Sequence, residues 1–97
     1  MATFISLLNF TEQGIATIKD SPKRLQQARD SLEPMGIAIS RFYLTMGEYD
    51  AVAIIDAPDA VTAAKALLAI GSQGNISSTT LTAFEEDEYR EIIGSLG

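Results

Sequence analysis

Ile37–Asp56, IAISRFYLTMGEYDAVAIID, holds two runs of strand-forming residues joined by a polar tip at Gly47-Glu48-Tyr49. Its second run, Ala51-Val52-Ala53-Ile54-Ile55, is apolar at every position. Successive side chains of a strand point to opposite faces, so a strand without alternation is apolar on both faces and belongs inside a sheet. In the first run, Arg41, Tyr43 and Thr45 share one face, and Phe42, Leu44 and Met46 share the other. The stretch therefore reads as a β-hairpin whose second strand is central.

Working outward, Thr3–Phe10 (TFISLLNF) is a strand by residue type, again apolar on both faces. Phe4, Leu8 and Phe10 point one way, Ile5 and Leu7 the other. Thr11 is suited to cap a short helix that Gly14 weakens. Ser21 as cap and Pro22 in the first helical position start a second helix over about 22–33. Its stripe is Leu25, Ala28, Leu32 and Met35, and Pro34 and Gly36 close it. After the hairpin, Ala57-Pro58-Asp59 opens a helix over Ala60–Ile70. That segment is so apolar that packing along most of its circumference is expected. Gly71–Asn75 is a loop, and the Thr-rich Ile76–Phe84 reads as an edge strand. Glu85–Leu96 reads as a helix with an acidic first turn and an apolar face of Tyr89, Ile92, Ile93 and Leu96. The order is β-α-β-β-α-β plus a terminal helix. This predicts a single α+β domain over 1–97, a ferredoxin-like fold with a four-stranded antiparallel sheet and its helices on one face.

Composition narrows the function classes. The formal net charge is -6, which argues against nucleic acid and against an anionic membrane surface as partners. With no cysteine and no histidine, disulfides, thiol nucleophiles, serine–histidine triads and histidine metal sites are excluded. No metal and no cofactor is expected. Met1-Ala2-Thr3-Phe4 carries no basic leader region, so the expected location is the cytoplasm.

Helices on one face leave the other face of the sheet uncovered. There, several large apolar side chains in water would forfeit roughly 1.5–3 kcal/mol each. The terminal helix is too short to shield a four-stranded sheet. A second copy of the chain, packed face to face, is the expected partner, against the alternative of a monomer with the terminal helix folded across.

The segments TFISLLNFTEQGIATIKDSPKRL, FYLTMGEYDAVAIIDAPD and AIGSQGNISSTTLTAFEEDEY resemble the GYD domain family of small bacterial and archaeal proteins, from Thr3 to about Ile93. The Gly47-x-Tyr49-Asp50 core, the Lys19-Asp20-Ser21-Pro22 turn and the Gly71-x-x-Gly74-Asn75 turn stand at the family's places. Pro34 stands where other members often continue the helix. The resemblance implies a fold of the dimeric α+β barrel type and implies little about activity. More distantly, MGEYDAVAII followed by GNISSTTLTAF is similar to the effector-sensing domain of Lrp/AsnC-type regulators. In those domains the corresponding hairpin loop and glycine turn border a small-ligand site between subunits. This chain has no DNA-binding segment, so it would correspond to the sensing half alone.

The candidate ligand-binding residues are therefore Arg41, Tyr43, Gly47, Glu48, Tyr49, Asp50, Gly74 and Asn75. Tyr49 would form an aromatic wall, Glu48 or Asp50 an acceptor, and Arg41 a bidentate partner for a carboxylate. Each also has a plain structural reading: Gly47 for a bend, Asp50 bonding backbone amides, Gly74 and Asn75 in a helix end and turn, Arg41 as an edge charge or intersubunit ion pair. Lys19, Lys23, Arg24 and Arg29 read as a solvated basic face, with phosphate binding as the lesser reading. Three functions stay open: a small-molecule binding or interaction module with a cleft near Gly47–Asp50, a cofactorless enzyme using Tyr43, Tyr49, Glu48 or Asp50, and a purely structural assembly subunit. The missing histidine weighs against the enzyme.

Overall fold

A computed structural model describes residues 1–97. The strands are β1 (Ala2–Phe10), β2 (Ala38–Leu44), β3 (Ala51–Ala57) and β4 (Ile76–Ala83). They form one sheet of order β2-β3-β1-β4, antiparallel throughout. The two stretches without alternation, β1 and β3, are the two interior strands, and the Thr-rich β4 is an edge. The expected ferredoxin-like α+β arrangement is the one observed.

The helices are α1 (Glu12–Ala16), α2 (Ser21–Leu32), α3 (Ala60–Gly71) and α4 (Glu86–Gly94). Single 3-10 turns at Ile18–Asp20 and Glu33–Met35 flank α2. Thr11 caps α1 as expected, its Oγ1 accepting from the Gly14 N–H at 3.1 Å. Gly14 serves close approach: a Cβ there would lie 2.1 Å from the Asn75 carbonyl oxygen. At α2 the cap position falls on Asp20, one residue earlier than expected, and its side chain makes no capping bond. Ser21 is already helical, because the preceding 3-10 turn delivers the chain in a near-helical conformation. The Pro34 break is milder than a stop; the chain tightens into the second 3-10 turn and leaves it through Gly36 at φ 75°.

The core lies between the sheet and α2–α3. Phe4, Ala53, Ile55 and Ala57 from the sheet meet Leu32, Ile37, Ala63 and Ala66. Packing of α3 along most of its circumference does not occur. Only Ala63 and Ala66 are buried, whereas Val61 and Leu68 are 66% and 75% exposed. No third layer lies outside α3 to cover them. In β2, a bulge at Ser40 interrupts the register between Ile39 and Arg41. It keeps Ile39 and Phe42 together on the helix side and sends Arg41 and Tyr43 to the opposite face.

The terminal helix is not folded across the sheet. Every residue from Phe84 to Gly97 is exposed, and the molecule is 52 Å long against 18 Å in its thinnest dimension. The radius of gyration, 14.7 Å, exceeds the roughly 12.5 Å of a compact domain of this length. The helix α4 is an arm.

The helix α3 has a well-made start. The Asp59 carboxylate accepts from the Thr62 N–H at 2.7 Å, and that bond holds the carboxyl below its ordinary 3.8. A depressed carboxyl stabilises the fold above its unfolded value and loses that contribution as pH falls through the folded value. Asp59→Ala is therefore expected to lower the melting temperature near neutrality. The gap between the two proteins should close as pH falls below 3.8; thermal unfolding followed by circular dichroism over that range measures it.

Candidate functional site

The face of the sheet opposite the helices carries two cross-strand rows. One runs Tyr43, Val52, Leu7, Thr79; the other runs Arg41, Ile54, Ile5, Leu81. A third row pairs Asp56 with Thr3, whose hydroxyl donates to Asp56 Oδ1 at 3.2 Å. Ile5, Leu7, Val52 and Ile54 are only half-buried, and Leu81 and Tyr43 are exposed. On β3 the sizes are inverted relative to a simple core. Apart from Ile55, the helix-facing positions are alanines at 51, 53 and 57, while the open face carries Val52 and Ile54.

Arg41 and Tyr43 stand side by side on this open face. Arg41 Nη1 donates to Tyr43 Oη at 3.1 Å, and the bond holds the guanidinium charge beyond its already high ordinary value. Beyond them the hairpin tip turns at Gly47, whose φ of 126° is a region other residues resist. Glu48 is exposed and Tyr49 half-buried.

Asp50 has a defined local task. Its N–H donates to the Leu8 carbonyl at 2.8 Å, and its Oδ2 accepts from the Phe10 N–H at 2.9 Å. Thr45 closes the tip from the other strand, with its hydroxyl on the Tyr49 carbonyl at 2.6 Å and its N–H on the Asp50 carbonyl at 2.9 Å. The next residue after Phe10 reaches the second loop: the Thr11 N–H donates to the Asn75 carbonyl at 3.1 Å and its Oγ1 to the Gly74 carbonyl at 2.6 Å. Gln13 Nε2 adds bonds to the Gln73 carbonyl and Asn75 Oδ1, both at 3.0 Å. The end of β1 thus ties Asp50 to Gly74 and Asn75 at one end of the sheet. Arg41 and Tyr43 form a separate pair on the open face.

On the helix side, a cavity of about 110 Å³ lies between the sheet and helices α2 and α3. Of the sequence-picked site residues only Asn75 lines it. Its floor includes Ser6, Ala51 and Ala53, all buried. Arg24, read from the sequence as part of a solvated basic face, is half-buried at its edge. The available signal was the run of small helix-facing residues on β3 opposite a serine in β1.

The GYD domain family model matches residues 4–93 of the chain. A protein of Thermus thermophilus named glutamine synthetase and cystathionine beta-lyase binding protein is 36% identical over 84 residues, spanning 86% of this chain and 88% of the relative. The crystal structure of TTHA0845, also from Thermus thermophilus, superposes with a TM-score of 0.56 at 21% identity, over 88% of this chain and 95% of that one. At that identity the likeness speaks to the fold.

The tie at Asp50 is open to a direct test. Asp50→Ala leaves the Phe10 N–H without its acceptor and is expected to cost about 1–3 kcal/mol in urea unfolding. Faster hydrogen exchange should be confined to Phe10 and the hairpin tip. Asp50→Asn, which keeps an acceptor oxygen, should recover most of the loss.

Proposed function

The chain belongs to the GYD domain family, and on that premise we propose that it is a homodimeric interaction module that docks on an enzyme of amino-acid metabolism. The observation that carries the reading is the uncovered apolar sheet face together with an unpartnered apolar arm. Two copies packed through Ile5, Leu7, Val52, Ile54 and Leu81 remove both faces from water at once. The arm cannot be satisfied within its own subunit. Tyr89, Ile92, Ile93 and Leu96, all between 45% and 75% exposed, need a surface that the second copy supplies.

Once the sheet faces meet, the stripe Val61, Ala64 and Leu68 on the outer side of α3 is still uncovered. This stripe is the docking surface for a larger protein. The relative named for binding glutamine synthetase and cystathionine beta-lyase supports an enzyme of that kind as the partner.

The Arg41–Tyr43 pair favours a second, compatible reading. It borders the apolar rows of the open face, so apposing two sheets makes it the wall of a cleft. Gly47, Glu48 and Tyr49 then overhang the cleft's end, and Asp50 with Gly74 and Asn75 hold that end in place. A small anionic organic ligand, bound through the guanidinium, would occupy it.

Light scattering on the purified chain is expected to give twice the 10.4 kDa chain mass at micromolar concentration. Leu7→Lys with Ile54→Lys should yield a folded monomer, and removal of residues 85–97 should weaken the dimer. A wild-type monomer at that concentration sinks the proposal.

Docking is tested separately, by biosensor binding to purified glutamine synthetase and to purified cystathionine beta-lyase. Binding to either one, lost in Val61→Asp with Leu68→Asp but with the dimer intact, is the expected result. Binding to neither refutes the enzyme partner and leaves the dimer standing.

A further inference from the structure

The cavity between the sheet and the α2–α3 layer lies on the opposite side of the sheet from the proposed dimer face, and neither docking nor the Arg41–Tyr43 cleft uses it. Its walls are mostly apolar, from Leu8, Leu25, Phe42, Leu67 and Ile76 among others, over the small floor residues of β1 and β3. The polar lining is sparse and lies mostly at one end. Ser6 in the floor is already hydrogen-bonded to the Thr80 hydroxyl at 2.8 Å. Ser21, Arg24, Gln73 and Asn75 make up the rest. Gln73 is the one exposed lining residue, which sets the mouth beside Arg24 and Asn75.

Arg24 gives the mouth its character. Its guanidinium donates to the Thr17 carbonyl and hydroxyl, both at 3.0 Å, and to the Gly14 carbonyl at 3.4 Å. These bonds fix the head group and leave further N–H donors of the planar fork unused. The chain's one ion pair is Arg90 with Glu86, so Arg24 is a half-buried cation with no carboxylate beside it. An apolar chamber with an uncompensated, positioned guanidinium at its edge is complementary to an amphiphilic anion.

We propose that this cavity binds a small aliphatic monocarboxylate, with its carboxylate on Arg24 at the mouth and its branched tail over Ser6 and Ala53. Volume sets the tail. A dry apolar cavity near 150 Å³ accepts benzene; one of about 110 Å³ takes a smaller group, on the order of four or five carbons.

The probe is isocaproate, titrated into the full-length chain and followed by amide chemical shifts, with isocaproamide as its uncharged counterpart. Saturable binding of isocaproate is expected, with the largest shifts at Ser6, Leu8, Ala53 and Ile76. The amide should bind about tenfold more weakly. Arg24→Gln should bring isocaproate down to the level of the amide, and Ala53→Leu, which fills the floor, should abolish binding of both. Ala28→Leu fills the same space from α2 and serves should Ala53→Leu not fold. No saturable shift up to millimolar isocaproate overturns the proposal. So does equal binding of acid and amide, shifts centred on Arg41 and Tyr43, or full binding retained in a folded cavity-filling variant. A monomeric protein that still binds isocaproate upholds this site while defeating the dimer.

Discussion

Two interior strands, β1 and β3, are apolar on both faces, and the chain folds enough helix to cover only one. That imbalance organises the rest of the molecule. Val52 and Ile54 place the bulk of β3 on the uncovered side, while Ala51, Ala53 and Ala57 face the helices. A sequence shaped only to fill its own core would place them the other way round, because apolar burial scales with the area removed from water. On β3, Ile55 apart, the side that the chain cannot cover is the one that carries the larger groups. The thin side, in turn, is where the cavity lies.

The end of β1 is the second organising feature. Phe10 and Thr11 are neighbours in sequence, yet one donates to the hairpin tip and the other to the loop before β4. Two backbone groups therefore fix the relative position of two loops far apart in the chain. The Gly-x-Tyr-Asp signature and the Gly-Asn turn gain a physical explanation here. Gly47 turns the tip, Asp50 anchors it, and Gly14 is small enough for the Asn75 carbonyl to approach. Anchoring and ligand contact are compatible duties for such residues, since a loop must be held before it can present anything.

Much of the fold was legible because it rests on periodicity. The two non-alternating strands declared themselves interior, the threonines of β4 declared an edge, and Thr11 and Asp59 stand where caps belong. What escaped was geometry that depends on neighbours. The Ser40 bulge has no residue signature in this sequence, although it decides which side Ile39 shares with Phe42. The apolar composition of α3 implied packing around most of the helix, but composition does not say whether the chain itself supplies the layers to cover it, and Val61 and Leu68 stay exposed. The arm was readable as an amphipathic helix; its departure from the domain was not. Arg24 looked like one member of a basic face because charge counting ignores the Thr17 and Gly14 groups that draw it inward. The cavity is the sum of several small residues, each ordinary alone.

The bulge at Ser40 also bears on how this protein can assemble. A sheet with two free edges invites strand addition from other chains, and that route has no natural end. Here β2 is broken by the bulge midway along its length, which disrupts a regular edge ladder. At the other edge, β4 offers serines and threonines rather than large apolar groups over Ser77–Thr80. Growth by edge-to-edge pairing is discouraged at both margins, while the broad face is left sticky. Contacts through a face related by a two-fold axis close on themselves. Pairing through that face, as proposed above, would give small, finite assemblies and not fibres.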